Sequence, residues 1–220
     1  MSGRLRIDVF FDFICPWCLI GKRQLERALE LLRLQQPDAL VTTVWHGVQL
    51  LPHLPVQGEP FAEFYLNRLG SAEAVAMRQA QVRQAAQAVG VAIDLSRITT
   101  MPNTADAHRL LAHANTQGSE AQREQLLERL FAAYFENGED LGCRETLIKI
   151  AQSCGYDADA VKDYLKDEFG PFVGNEVGAS SGVPSFQFNR QLSMVGAQPA
   201  EALLSAMCEA LERQRVVSPS

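Results

Sequence analysis

The chain has 220 residues, 47% hydrophobic and 21% charged, with a formal net charge of −6. This is the composition of a folded globular protein and excludes low-complexity or collagen-like chains. No block of Lys or Arg forms a stripe that could track phosphates, which argues against a nucleic-acid partner, and no run of about 18 apolar residues argues for a membrane span.

In chain order, "RLRIDVFFDF" (4–13) predicts a strand with Ile7, Val9, Phe11 and Phe13 on one face. After "CPWC" comes "LIGKRQLERALELLRLQQ" (19–36), where Leu25, Leu29 and Leu32 recur at helical spacing until Pro37 stops the helix. "ALVTTVWHGVQL" (39–50) predicts a second strand, closed by Pro52 and Pro55. Strand, helix, strand is the length of one βαβ unit.

From about Pro60 to Val173 strand patterning vanishes and six helical segments follow, beginning at Phe61, Ser71, Asn103, Ser119, Cys143 and Asp157. Several open on Ser, Asn or Asp as N-caps and close near Gly. Asn103 is the expected N-cap of the third, with Asp106 in support. β pattern returns at "VPSFQFN" and "QLSMVG", a hairpin turning at Asn189 and Arg190, and a helix from Pro199 to about Arg215 precedes a tail, "VVSPS", expected to fray. The order βαβ, helices, ββα predicts an α/β fold with one mixed sheet, divided as residues 1–58 plus 174–220 and an inserted helical domain at 59–173.

The chemistry concentrates in "FDFICPWCLIGK". Spacing alone leaves a redox pair, half of a zinc site, or two buried thiols. No second CxxC or neighbouring Cys/His pair completes a zinc site, so no metal is expected. Cys15 falls at the start of the helix with Pro16 in its first turn, where a missing N–H costs nothing. Cys18 lies about 4.5 Å further along the axis and roughly on the same face, within reach of a disulfide. The helix start favours a sulfur anion, so Cys15 is the nucleophile and the shielded Cys18 the resolving thiol. Cys143 and Cys154 would stand about 16 Å apart on one helix, too far to bridge; with Cys208 they read as small core residues. The N-terminus shows no secretory signal, giving an expectation of a cytoplasmic protein, where a disulfide is usually transient and catalytic.

Far along the chain, "SSGVPSF" places Val183 and Pro184 at a strand entry. CPxC at a helix start after a first strand, with "GVPSF" beyond a helical insertion, resembles the thioredoxin-fold DsbA family. "DFICPWCLIGKRQLERAL", "NTADAHRLLAHA", "LFAAYFENGEDL" and "GVPSFQFNRQLSMVGAQP" resemble its FrnE-like branch, over roughly residues 7 to 210. The resemblance implies a thioredoxin fold split by a large all-helical insertion. It also implies a cis Val183–Pro184 bond against Cys15, with Val183 holding an extended substrate as an added strand and Pro184 shaping the site and keeping metals off the thiols.

The activity it implies is thiol-disulfide oxidoreductase or isomerase, acting on protein or peptide substrates or small-molecule thiols. No cofactor is expected unless glutathione serves as co-substrate. Pro16, Trp17 and His108 are further candidate substrate contacts, with Trp17 expected exposed at the rim and His108 open to a structural reading. Asp12, three residues before Cys15, is a candidate for proton transfer or for holding the local turn. Val9 stands where many thioredoxin-fold proteins carry a buried carboxylate, and no further cysteine pair follows Cys208. The alternatives are a glutathione-dependent isomerase or transferase of the 2-hydroxychromene-2-carboxylate isomerase and kappa type, where Ser commonly replaces the first cysteine, or a non-catalytic peptide- or metal-binding module.

Overall fold

The computed structural model describes residues 3–166, 170–174 and 182–217. They form β1 (Arg4–Phe11), α1 (Pro16–Gln35), β2 (Leu40–Gly47), β3 (Glu59–Pro60), α2 (Phe61–Leu69), α3 (Ala72–Ala88) and β4 (Thr100–Met101). There follow α4 (Ala105–Gln117), α5 (Glu120–Phe135), α6 (Arg144–Ser153), α7 (Ala158–Lys166), β5 (Ser185–Phe188), β6 (Leu192–Val195) and α8 (Ala200–Val217). The chain divides into two compact units, Met1–Val48 with Gly174–Ser220, and Gln49–Val173.

The first unit holds a four-stranded sheet in the order β2-β1-β5-β6, with β1 parallel to β2 and antiparallel to β5. The late hairpin therefore joins the early strands, as the order of elements predicts. Because side chains alternate along a strand, the register that pairs Val9 with Trp45 and Phe186 also separates two faces. One face carries Leu5, Ile7, Val9, Phe186 and Phe188, and α1 covers it with Leu25, Ala28 and Leu32 while α8 adds Leu203, Met207 and Leu211. Each such large apolar side chain, fully buried, contributes about 1.5–3 kcal/mol. Phe11 ends this row, its ring edge-on to Phe13 at 4.9 Å and to Trp45 at 5.5 Å.

The opposite face of β1 presents Asp8 and Phe10, both buried. Asp8 accepts from Arg6 Nε and Nη2, and His46 Nε2 lies 2.7 Å from its Oδ1. The His46 ring stacks on Phe10 at 4.8 Å. Burial alone would push the Asp8 carboxyl up, but the hydrogen bonds from Arg6 and His46 outweigh it and hold the carboxyl below its ordinary value. The sequence offers His46 no visible partner; the parallel register supplies one 38 residues upstream.

The second unit is mainly helical. It also contains a two-stranded sheet, β3 against β4, which pairs Glu59 with Met101 and Pro60 with Thr100. Two-residue strands are too short to leave a period in the sequence, which is why that stretch reads as free of strand. Expected caps hold at Ser71, which accepts from Ala74 N, and at Ser119, which forms a capping box with Gln122. The N-cap of α4 is instead Thr104: Asn103 is one residue early, its Oδ1 accepting from Ala105 N. Asp106 does not close a capping box, because its two oxygens accept from Arg109 and Arg144.

The division after Val48 falls earlier than the expected boundary at residue 58. Val48 N still donates to Phe11 O, alongside β1, whereas Gln49 donates to Asn103 and accepts from Phe172 N. α8 continues through Val217, and the rest of the tail expected to fray lies outside the described residues. So does the end of the helix expected from Asp157, beyond Lys166. Among the described residues no helix is long and apolar enough to cross a membrane.

Candidate active site

β1 delivers the chain to the site through a tight turn in which Cys15 N donates to Asp12 O at 3.2 Å. Cys15 is the N-cap of α1, in extended conformation at φ −89° and ψ 109°, with Pro16 opening the helix. Its carbonyl accepts from Cys18 N at 2.9 Å. No acidic side chain occupies the first turn, so nothing there opposes the positive end of the helix dipole.

The two thiols are unbridged and differ in exposure, with 8% at Cys15 and 1% at Cys18. They hydrogen-bond to each other. Burial first, then that hydrogen bond and the charge of Cys15, push the Cys18 thiol well above its ordinary value, against a smaller lowering by a backbone hydrogen bond with Asp12. Cys18 is thus held as a neutral thiol that donates toward Cys15.

Val183 and Pro184 come from the far end of the chain to the same place. The Val183–Pro184 peptide bond is cis, and Cys15 Sγ lies 4.0 Å from the Val183 carbonyl oxygen. Pro184 is buried at the head of β5, where its carbonyl accepts from Gly196 N at 2.8 Å. The cysteine pair and the Val-Pro segment therefore meet although 168 residues separate Cys15 from Val183.

The remaining sequence candidates fall as follows. Asp12 is fully buried, and its carbonyl holds the turn. Pro16 and Trp17 are half-buried, so Trp17 is less open than expected. His108 belongs to the second unit, where it is 2% exposed and stacks on Phe172 at 5.2 Å. Cys143 and Cys154 cap opposite ends of α6, and Cys208 contacts Gln35 and Gln36. Sequence reasoning missed Gly21, buried inside α1 against Pro184; its signal was a glycine in the middle of an otherwise strong helical pattern.

A family model described as the DSBA-like thioredoxin domain matches residues 6–208. Among solved structures, the chain is similar to a probable DsbA oxidoreductase from Streptomyces coelicolor, at 26% identity and TM-score 0.83, covering 98% of this chain and 92% of that one. A 2-hydroxychromene-2-carboxylate isomerase shares the fold at 16% identity and TM-score 0.62, over 97% of this chain and 100% of that one. So does the cytosolic disulfide reductase DsbM from Pseudomonas aeruginosa with GSH, at 16% identity and TM-score 0.57, over 96% and 98%.

Proposed function

This chain belongs to the DSBA-like thioredoxin domain family, and from that premise we propose that it is a thiol-disulfide oxidoreductase or isomerase working through Cys15 and Cys18. The observation that carries the reading is the asymmetry of the pair, with one thiol at the helix start facing the Val183 carbonyl and its partner buried as a neutral thiol beneath it. In the oxidised enzyme a substrate thiolate attacks the Cys15 sulfur. This forms a mixed disulfide and expels Cys18 as a thiolate; a second substrate thiolate then attacks the substrate sulfur and releases Cys15. Two electrons pass from substrate to enzyme, leaving the reduced pair. In reverse, Cys15 attacks a substrate disulfide and Cys18 resolves the intermediate.

The high proton affinity of Cys18 makes proton removal the demanding part of resolution. Asp12, buried in the turn before Cys15 and joined to Cys18 by a backbone hydrogen bond, is the group we assign to that proton. Val183 offers its backbone to an extended peptide, with Pro16 and Trp17 beside the sulfur and Pro184 shaping the site. For His108 we keep only a substrate-side role as a proposal, since its ring is packed on Phe172. Protein or peptide thiols and disulfides are the substrates, with small-molecule thiols such as glutathione as co-substrate and no resident cofactor or metal. A reducing cytosolic compartment, where a disulfide is usually transient and catalytic, suits this chemistry.

The fold alone is shared with an isomerase and with a disulfide reductase, so it does not choose between these chemistries. Cys18 favours the redox reading, because a resolving thiol is needed for electron transfer and not for glutathione-dependent isomerisation. The test is turnover of a peptide dithiol by the oxidised protein, and of insulin by the reduced protein, in wild type and Cys18→Ser. Wild-type turnover that Cys18→Ser loses supports the reading. A wild type inactive on both substrates contradicts it, and bound zinc in that preparation would favour the metal-binding alternative.

A further inference from the structure

The geometry points to Gly21 as a positioning residue that sets how closely the Val183–Pro184 segment sits against the cysteine pair. This inference rests on the redox reading above and names a residue through which that site is held. Gly21 lies within α1, three residues after Cys18, where glycine is a poor helix former. No backbone need accounts for it, since only a left-handed conformation would favour glycine and this residue is helical.

What accounts for it is close approach. A Cβ at position 21 would stand 3.0 Å from Pro184 Cγ, 3.2 Å from Phe186 Cζ and 3.5 Å from Pro184 Cβ. The first two are tighter than ordinary carbon contacts, so something must shift. α1 is pinned to the sheet by Leu25, Ala28 and Leu32, and Phe186 is fully buried on a strand paired to Val9. Pro184 stands one residue before the paired part of that strand, its carbonyl held by Gly196 N but its ring outside the ladder, and the ring takes the displacement. Moving it moves the adjacent Val183 carbonyl, which faces Cys15 Sγ at 4.0 Å. Gly21 touches neither sulfur nor substrate; it acts through Pro184.

The test is a double-mutant cycle on kcat/KM for a peptide dithiol, in wild type, Gly21→Ala, Pro184→Ala and the double variant. Gly21→Ala is expected to lose about tenfold, mainly in KM, as a displacement of a few tenths of an ångström does to a positioned site. In the Pro184→Ala background, where the ring is gone, the same substitution is expected to cost less than about twofold. Alkylation of Cys15 by iodoacetamide, which needs no docking segment, is expected to stay within about twofold in Gly21→Ala. Equal losses at position 21 in both backgrounds, or wild-type kinetics in Gly21→Ala, would overturn the inference. If Gly21→Ala does not fold, the double variant is expected to fold, and its failure also overturns the inference. A wild type inactive on the dithiol sinks the redox reading and this inference together; an active wild type with additive losses sinks this inference alone.

Discussion

At the start of α1, Cys18 is 1% exposed beneath Cys15, and burial acts first to hold it protonated. Reactivity toward an external electrophile follows thiolate character and access, and both favour Cys15. Peptide mapping after brief iodoacetamide treatment at neutral pH should therefore show Cys15 labelled at least about tenfold faster than Cys18. Equal labelling would show that the burial seen at Cys18 does not govern its chemistry. The same asymmetry predicts that Cys18→Ser accumulates a stable mixed disulfide with oxidised glutathione at Cys15, visible by mass. Cys15→Ser should form none at Cys18.

Two contacts matter at the scale of elements. Asp8 on β1 holds Arg6 and reaches His46 at the end of β2. Its carboxyl lies below its ordinary value in the fold, so its contribution is fully present above the unfolded value of about 3.9 and disappears as pH falls through the folded value. Asp8→Asn should lower stability at neutral pH by about 1–3 kcal/mol, the scale of hydrogen bonds to a charged group. Urea midpoints measured from pH 7 down to pH 3 should show the gap to wild type narrowing; a gap that widens on acidification would give the shift the wrong sign.

In the second unit, the end of α5 is fastened to the loop before β4: Asp94 N donates to Phe135 O, and Arg97 Nη1 donates to Glu136 O. Gly138 completes this junction at φ +69°, where a Cβ would fall 2.3 Å from the Arg97 carbonyl oxygen. Gly138→Ala meets a left-handed backbone and a carbonyl with no room to give. It should cost about 2–3 kcal/mol by thermal or denaturant melting. An unchanged midpoint would mean that the junction is not held as described.

For the whole molecule, the sheet was legible because its strands alternate cleanly around Ile7, Val9, Phe186 and Phe188, and the inserted helices because residues such as Ser71 and Ser119 announce their caps. The cysteine pair was legible from spacing, and its meeting with Val183 and Pro184 only from resemblance, since nothing local to "GVPSF" points to a segment 168 residues away. Contacts set by register and close approach stayed hidden: His46 with Asp8, Gly21 against Pro184, and the two-residue strands at Glu59 and Thr100. Each depends on which residues the folded chain brings opposite one another, and a single sequence carries no period or cap that records this.

The central claim is that Cys15 and Cys18 form one two-electron couple. Its most direct test is mass spectrometry after alkylation, on wild type, Cys15→Ser and Cys18→Ser equilibrated across a series of glutathione redox buffers. The account predicts that wild type passes between a dithiol and an intramolecular disulfide in one two-electron step, and that each variant loses that step. Full retention of the couple in either variant would contradict it.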